Sequence, residues 1–292
     1  MHEKPLKGRV AIITGANQGL GLEIARKYVT AGASLMICAR NSELLNAAKT
    51  ELETLAGPDQ RILAQSADVS KQVDVEGVVQ ATLSEFGSCQ ILVSNAGVYG
   101  PKGEIEDVDW SDWVRAMEIN IFGSVLICRE LLGHFKQRGY GKIIQLSGGG
   151  ATNPLPRISA YAASKAAVVR FAETLAEEVR GQGIDVNCIA PGALNTRMLD
   201  EVLEAGPEKV GPGFYERALK QKASGGAPMG RGAELALFLA SAASDGITGK
   251  LISAVWDNWE QWPEHKEDLS KTDAYTLRRI TGRDRGFTWG DM

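Results

Sequence analysis

The chain has 292 residues, 44% hydrophobic and 23% charged, with a formal net charge of −4. That is enough apolar material for a full core without disulfides or metals, and the weak acidity leaves no electrostatic footprint for nucleic acid or an anionic membrane. The cysteines (Cys38, Cys89, Cys128, Cys188) lack CxxC or metal-ligand spacing, and the three histidines are scattered. Buried thiols in a reducing compartment and no metal site are therefore expected. Polar Met1–Lys7 does not read as a signal sequence, and the longest apolar helical run, Ala233–Ala243, is too short to cross a bilayer. A soluble, cytoplasmic protein is expected.

Short β-rich apolar runs alternate with longer segments of helical period. "RVAIIT" (9–14) leads through a glycine-punctuated turn into "LGLEIARKYVTAG". Then follow "SLMICA" (34–39), a helix to about Ala56, "RILAQS" (61–66), a helix from Lys71 to Phe86 and "QILVSN" (90–95). A long helix from Trp110 to about Lys136 precedes "KIIQLS" (142–147), and a helix from Ser159 to about Arg180 precedes "IDVNCIA" (184–190). The last predicted strand is "KLISAVW" (250–256). Strands apolar along nearly their whole length suit a parallel sheet covered on both faces. Strict alternation predicts one doubly wound α/β domain over 1–256.

Two segments depart from this rhythm. Residues 193–230 carry the Gly/Pro punctuation of a mobile flap on the substrate side. Residues 257–292 form an extension rich in charge and tryptophan, in which "TDAYTLRRI" reads as a short capped helix. Trp256, Trp259 and Trp262 are three apart, and Arg278, Arg279, Arg283 and Arg285 follow. The rings could stack on a substrate and the arginines meet a phosphate or carboxylate. The plainer expectation is preferred: the rings cover core or a subunit contact, and the arginines pair with local acids.

"TGANQGLG" (14–21) lies between the first strand and first helix. Glycines at 15, 19 and 21 permit a tight turn and let backbone N–H groups approach a pyrophosphate at a helix N-terminus. By itself such a turn is a weak signal. Together with "SNAG" (94–97), helical Asn120, YxxxK at 161–165 and "PG" at 191–192, it resembles the classical short-chain dehydrogenase/reductases. The resemblance covers about 8–256 and implies a Rossmann-type doubly wound parallel sheet, with a C-terminal extension appended.

It also implies a nicotinamide cofactor held by Gly15, Asn17, Gly19, Leu20, Gly21, Asp68, Val69, Asn95, Ala96, Gly97, Tyr161, Lys165, Pro191, Gly192 and Thr196. Asp68 and Ser70 could instead cap the next helix, and Thr196 could be a helix cap. Ala39 stands at the family's acidic, ribose-binding position, and Arg40 follows it. An arginine there can fork onto a 2′-phosphate, so NADP is expected, with NAD possible. Gln18, where many NADP-preferring relatives carry a basic residue, weighs against this.

Tyr161 and Lys165, four apart, share one face of a helix about one turn apart. A nearby ammonium, with the positive nicotinamide ring of the oxidised cofactor, is expected to lower the phenol's ordinary pKa of about 10 and fit it for acid–base work. The resemblance implies that Asn120 holds a water in a proton relay to Lys165; a satisfied buried amide is the alternative. The family's serine lies thirteen residues before the tyrosine, where this chain has Gly148, and Ser147 lies one residue earlier. The substrate-polarising donor is expected to be Ser147, the Gly148–Gly150 backbone or the hydroxyl of Thr152. The expected activity is NADP-dependent interconversion of a small ketone and a secondary alcohol, with Tyr161, Lys165, Asn120 and Ser147 as catalytic residues. A cofactor-binding regulatory or scaffold protein is the alternative. The resemblance also implies a homodimer or homotetramer packed through the 110–136 and 159–180 helices.

Overall fold

The computed structural model describes residues 4–289. Seven parallel strands lie in the order β3-β2-β1-β4-β5-β6-β7. They are β1 (Val10–Thr14), β2 (Ser34–Ala39), β3 (Ile62–Ser66), β4 (Ile91–Ser94), β5 (Gly141–Leu146), β6 (Ile184–Ala190) and β7 (Leu251–Ser253). Helices α1 (Gly19–Thr30), α2 (Ser42–Leu55) and α9 (Met229–Ala240) cover one face. The other face carries α3 (Gln72–Phe86), α5 (Gly123–Arg138) and α6 (Ser159–Glu178). Alternate strand residues divide between two cores: Ile13, Ile37 and Ile144 join the first, and Ile12, Met36 and Ile143 the second. Because each pleat buries both sides, the strands are apolar throughout rather than alternating.

The four cysteines are buried and free. Burial pushes the thiols of Cys38, Cys89 and Cys128 up to about 12, so they are inert packing groups. At the start of β5, Lys142 is 1% exposed; its Nζ lies 2.7 Å from carboxylate oxygens of both Asp185 and Asp245 and donates to Ser244 Oγ at 3.2 Å.

The predicted 110–136 helix is interrupted. Helix α4 (Trp110–Met117) runs through a π-turn at Glu118–Phe122 into α5, and Asn120 sits inside that turn. The 193–230 segment forms two helices, α7 (Arg197–Val210), kinked at Gly206–Pro207, and α8 (Pro212–Ser224). Leu199, Val202, Val210 and Ala218 form a small apolar cluster there, against which Tyr99 packs.

Two sequence expectations fail near the end of the chain. The last strand stops at Ser253 rather than 256, because the Asp257 carboxylate accepts the Ser253 N–H and the Ser253 hydroxyl accepts the Trp256 N–H, turning the chain. "TDAYTLRRI" is turn and coil, and the helix lies before it, as α10 (Lys266–Lys271). Its backbone serves the sheet edge instead of a helical ladder: Thr272 and Ala274 carbonyls accept from Lys250 Nζ, and the Tyr275 carbonyl accepts from Leu251 N at 2.8 Å. Trp259 and Trp262 are buried in the first core, whereas Trp256 is 86% exposed. Arg278 forks onto Asp284 at 2.8 and 2.9 Å and lies 3.3 Å from Asp273, so this tail arginine pairs with local acids.

Candidate active site

At the C-terminal ends of the strands the sheet opens into a cleft of about 540 Å³. Loops leave strands in opposite directions at such an edge, and ligands lodge there. The first wall is the turn after β1. The Thr14 hydroxyl accepts from the N–H groups of Asn95 and Ala96, both at 3.0 Å, and Asn95 Nδ2 donates to the carbonyls of Thr14 and Gly15. These bonds pull the ends of β1 and β4 so close that side chains do not fit. A Cβ on Gly21 would lie 2.4 Å from Asn95 Nδ2, and one on Gly15 would lie 2.9 Å from Ala96 Cα. Gly19, at φ +58°, is different: a Cβ there would meet only Thr196, at 3.7 Å.

Helix α1 begins at Gly19 with no side-chain cap from Gln18, and both residues border the cleft. Its first-turn N–H groups are thereby left for an anion, with the helix dipole in support. This uncapped, glycine-lined turn fits a dinucleotide's pyrophosphate. Asn17, Leu20, Ala96, Gly97, Val69, Pro191, Gly192 and Thr196 border the same cleft. Thr196 occupies the N-cap position of α7, as weighed from sequence, but its hydroxyl makes no cap bond. Arg40 borders the cleft as an exposed residue beside buried Ala39. Asp68 also borders the cleft, but its carboxylate is engaged: one oxygen accepts from the N–H and hydroxyl of Ser70, the other from Arg115.

The second wall carries the candidate catalytic residues. Tyr161 and Lys165 both line the cleft from α6. Lys165 is 5% exposed; its Nζ donates to the Leu146 carbonyl at 2.7 Å and sits 5.8 Å from the Tyr161 ring centre. No carboxylate pairs with it among the described residues, and burial pulls its ammonium down to about 8. The Tyr161 phenol moves the other way. Burial, reinforced by Tyr99 beside it, pushes it above its ordinary range, opposite to the direction expected from the lysine.

Asn120 is fully buried and its amide is saturated. Its Oδ1 accepts from Val98 N at 2.8 Å, and its Nδ2 donates to Val98 O at 2.8 Å and to Ser164 Oγ at 2.9 Å. The satisfied-amide alternative thus describes this side chain, which ties the π-turn to the loop after β4. Ser147, 4% exposed, lines the cleft, and its Oγ has no hydrogen-bond partner. Thr152 is exposed, accepts from Asn153 Nδ2 at 3.1 Å and does not border the cleft. A Cβ on Gly148 would lie 2.2 Å from the Tyr161 hydroxyl oxygen.

Sequence reasoning missed several residues. Tyr99 stands edge-on to Tyr161 with ring centres 4.7 Å apart, and Leu194, Met198 and Met229 also border the cleft. An aromatic two residues after Asn-Ala-Gly was a usable signal for Tyr99. Arg115 and Ser164 act only through Asp68 and Asn120, and nothing in their local sequence marks them. The tail, considered as a possible wall, contributes no residue to the cleft among those described.

Known proteins give the same picture. The 7alpha-hydroxysteroid dehydrogenase of Escherichia coli (strain K12) is 32% identical over 248 residues, covering 85% of this chain and 93% of that one. The crystal structure of levodione reductase superposes with a TM-score of 0.78 at 28% identity, covering 87% of this chain and 98% of the other. That of an actinorhodin polyketide ketoreductase variant with NADPH gives 0.76 at 27% identity, covering 84% and 95%. Residues 9–206 match the short chain dehydrogenase family. With its seven-stranded parallel sheet, glycine cradle and Tyr161–Lys165 pair in one cleft, the chain belongs to the classical short-chain dehydrogenase/reductases, oxidoreductases that bind NAD or NADP.

Proposed function

We propose that this protein is an NADP-preferring reductase that converts a small ketone to a secondary alcohol, with Tyr161 as proton donor and Ser147 as the polarising hydroxyl. The observation that carries this reading is the single cleft bordered by Tyr161, Lys165 and Ser147, the last with a buried, unpartnered hydroxyl. A buried hydroxyl without a partner costs stability, and a substrate carbonyl oxygen would supply the missing acceptor.

A bound nicotinamide dinucleotide supplies the hydride to the carbonyl carbon. The C=O electron pair then moves onto oxygen, where the Ser147 O–H donates a hydrogen bond and Tyr161 delivers its proton. The Tyr161 phenol is protonated near neutral pH and can give that proton to the carbonyl oxygen as hydride arrives at carbon. The Lys165 ammonium stabilises the phenolate left behind until solvent reprotonates it. Asn120, through Val98 and Ser164, fixes the loop and helix that flank Lys165; a water relay through its turn remains part of the proposal. Arg40, with no acid at Ala39, favours a 2′-phosphate. Exposed Trp110 and Phe122 on the 110–136 segment suit a homodimer or homotetramer contact, and four free, buried thiols suit the cytoplasm.

The test is hydride transfer across a carbonyl panel with NADPH and NADH. NADPH should be preferred, and Arg40→Ala should weaken NADPH binding about tenfold while sparing NADH. Tyr161→Phe should lower kcat by about 10²–10⁴ with cofactor affinity unchanged. Tight cofactor binding without any transfer would instead favour the scaffold reading.

A further inference from the structure

The family's serine position is held here by Gly148, and the structure gives that glycine a purpose. A Cβ on Gly148 would lie 2.2 Å from the Tyr161 hydroxyl oxygen, 2.9 Å from Cζ and 3.2 Å from Cε1. Real Cβ atoms essentially never approach another heavy atom within 3.0 Å. The tip of the tyrosine therefore occupies the volume that any side chain at 148 would fill. Relief must come from a shift of the Tyr161 ring toward the cleft that it borders. Tyr99 stands edge-on to the same ring, Tyr161 is anchored on α6, and the next glycine is also packed, with a Gly150 Cβ 2.7 Å from Ala162 Cα.

We propose that Gly148 is a positioning residue: the vacancy at its Cβ is the seat of the Tyr161 hydroxyl. The assignment of Ser147 rests on the reductase reading above; the seat at Gly148 does not. Backbone dihedrals are not the reason for the glycine. Gly148 lies at φ −171° and ψ 171°, an extended conformation open to any residue, so only the steric argument demands it. Accordingly, restoring the family's residue with Gly148→Ser should damage the site rather than repair it. Clearing the clash requires the phenol oxygen to move by about 1 Å, a displacement of the size that costs about 10²-fold in rate.

Two measurements test this. In the first, kcat and KM are measured for Gly148→Ala and Gly148→Ser with NADPH and the best carbonyl found. Both variants should lose about 10²-fold in kcat with cofactor affinity within twofold of the parent, and the serine should give no advantage over alanine. A Gly148→Ser variant as active as the parent, or more so, would overturn the proposal.

The second measurement needs no activity. Thermal unfolding is followed for the parent, Gly148→Ala, Tyr161→Phe and the double variant. Gly148→Ala should lower Tm by several degrees, and by clearly less once Tyr161→Phe has removed the clashing oxygen. Equal losses in the two backgrounds would show that the 148–150 backbone yields instead of the tyrosine, and would also overturn it. If the parent reduces no carbonyl, the reductase reading fails while this cycle still decides the seat at Gly148.

Discussion

Strand β5 has a buried lysine at each end, and the two are treated in opposite ways. Lys142, at the N-terminal end, places its ammonium among two carboxylates and a serine hydroxyl, each within hydrogen-bond distance. Lys165 reaches the C-terminal end from α6 and bonds only the Leu146 carbonyl, with no carboxylate partner among the described residues. The first end is a closed structural joint. At the second, the Ser147 hydroxyl is also unpartnered and the Tyr161 phenol is packed into a vacancy. Polar groups left unsatisfied in the interior cost free energy, and a fold retains them where a ligand completes the set.

Three experiments on stability probe this contrast. Lys142→Met should have the largest effect, a loss of about 3–5 kcal/mol in chemical denaturation, because it strands the largely buried Asp185 carboxylate, whereas half-exposed Asp245 keeps its water. A neutral result would show that the joint is no better compensated than the site. Lys165→Met should act in the opposite sense. Its folded pKa of about 8 lies below the ordinary 10.5. The burial penalty is therefore present in full below pH 8 and is relieved as pH rises toward 10.5. The variant should gain up to about 3 kcal/mol at pH 7, shrinking across that window, while losing turnover. No gain at pH 7 would mean that Lys165 is compensated as Lys142 is. Ser147→Ala should give the smallest change, a gain of about 1 kcal/mol from removing an orphan hydroxyl, with kcat reduced about 10-fold or more and NADPH affinity unchanged. An unchanged rate would pass the polarising role to the glycine backbone.

Most of the sheet was legible in the sequence because buried parallel strands are continuously apolar, so β1 to β6 fall within a residue or two of their expected ends. The glycine turn and the Tyr161–Lys165 pair were legible for a related reason: their chemistry depends on local spacing. Expectations failed where distant groups competed for the backbone. Lys250 and Leu251 bond the 272–275 segment, which would otherwise have been free to form a helix. Asp257 ends β7 early by taking a strand N–H. The burial that raises the Tyr161 phenol in the chain alone was not legible, because burial is a property of the assembled cleft, not of an i, i+4 spacing.

The sequence alone determined the layer architecture, the glycine-lined turn after β1 and the Tyr161–Lys165 pair on one helix, all carried by periodicity and short-range motifs. Only the tertiary structure decided how the polar groups are partnered: Asp68 held by Arg115, Asn120 saturated by Val98 and Ser164, Ser147 left without an acceptor. It also decided why position 148 carries no side chain, since the Tyr161 oxygen reaches that volume from a different element, thirteen residues along the chain. Excluded volume and desolvation are set by what the fold packs together, and neither is encoded in the spacing of a motif.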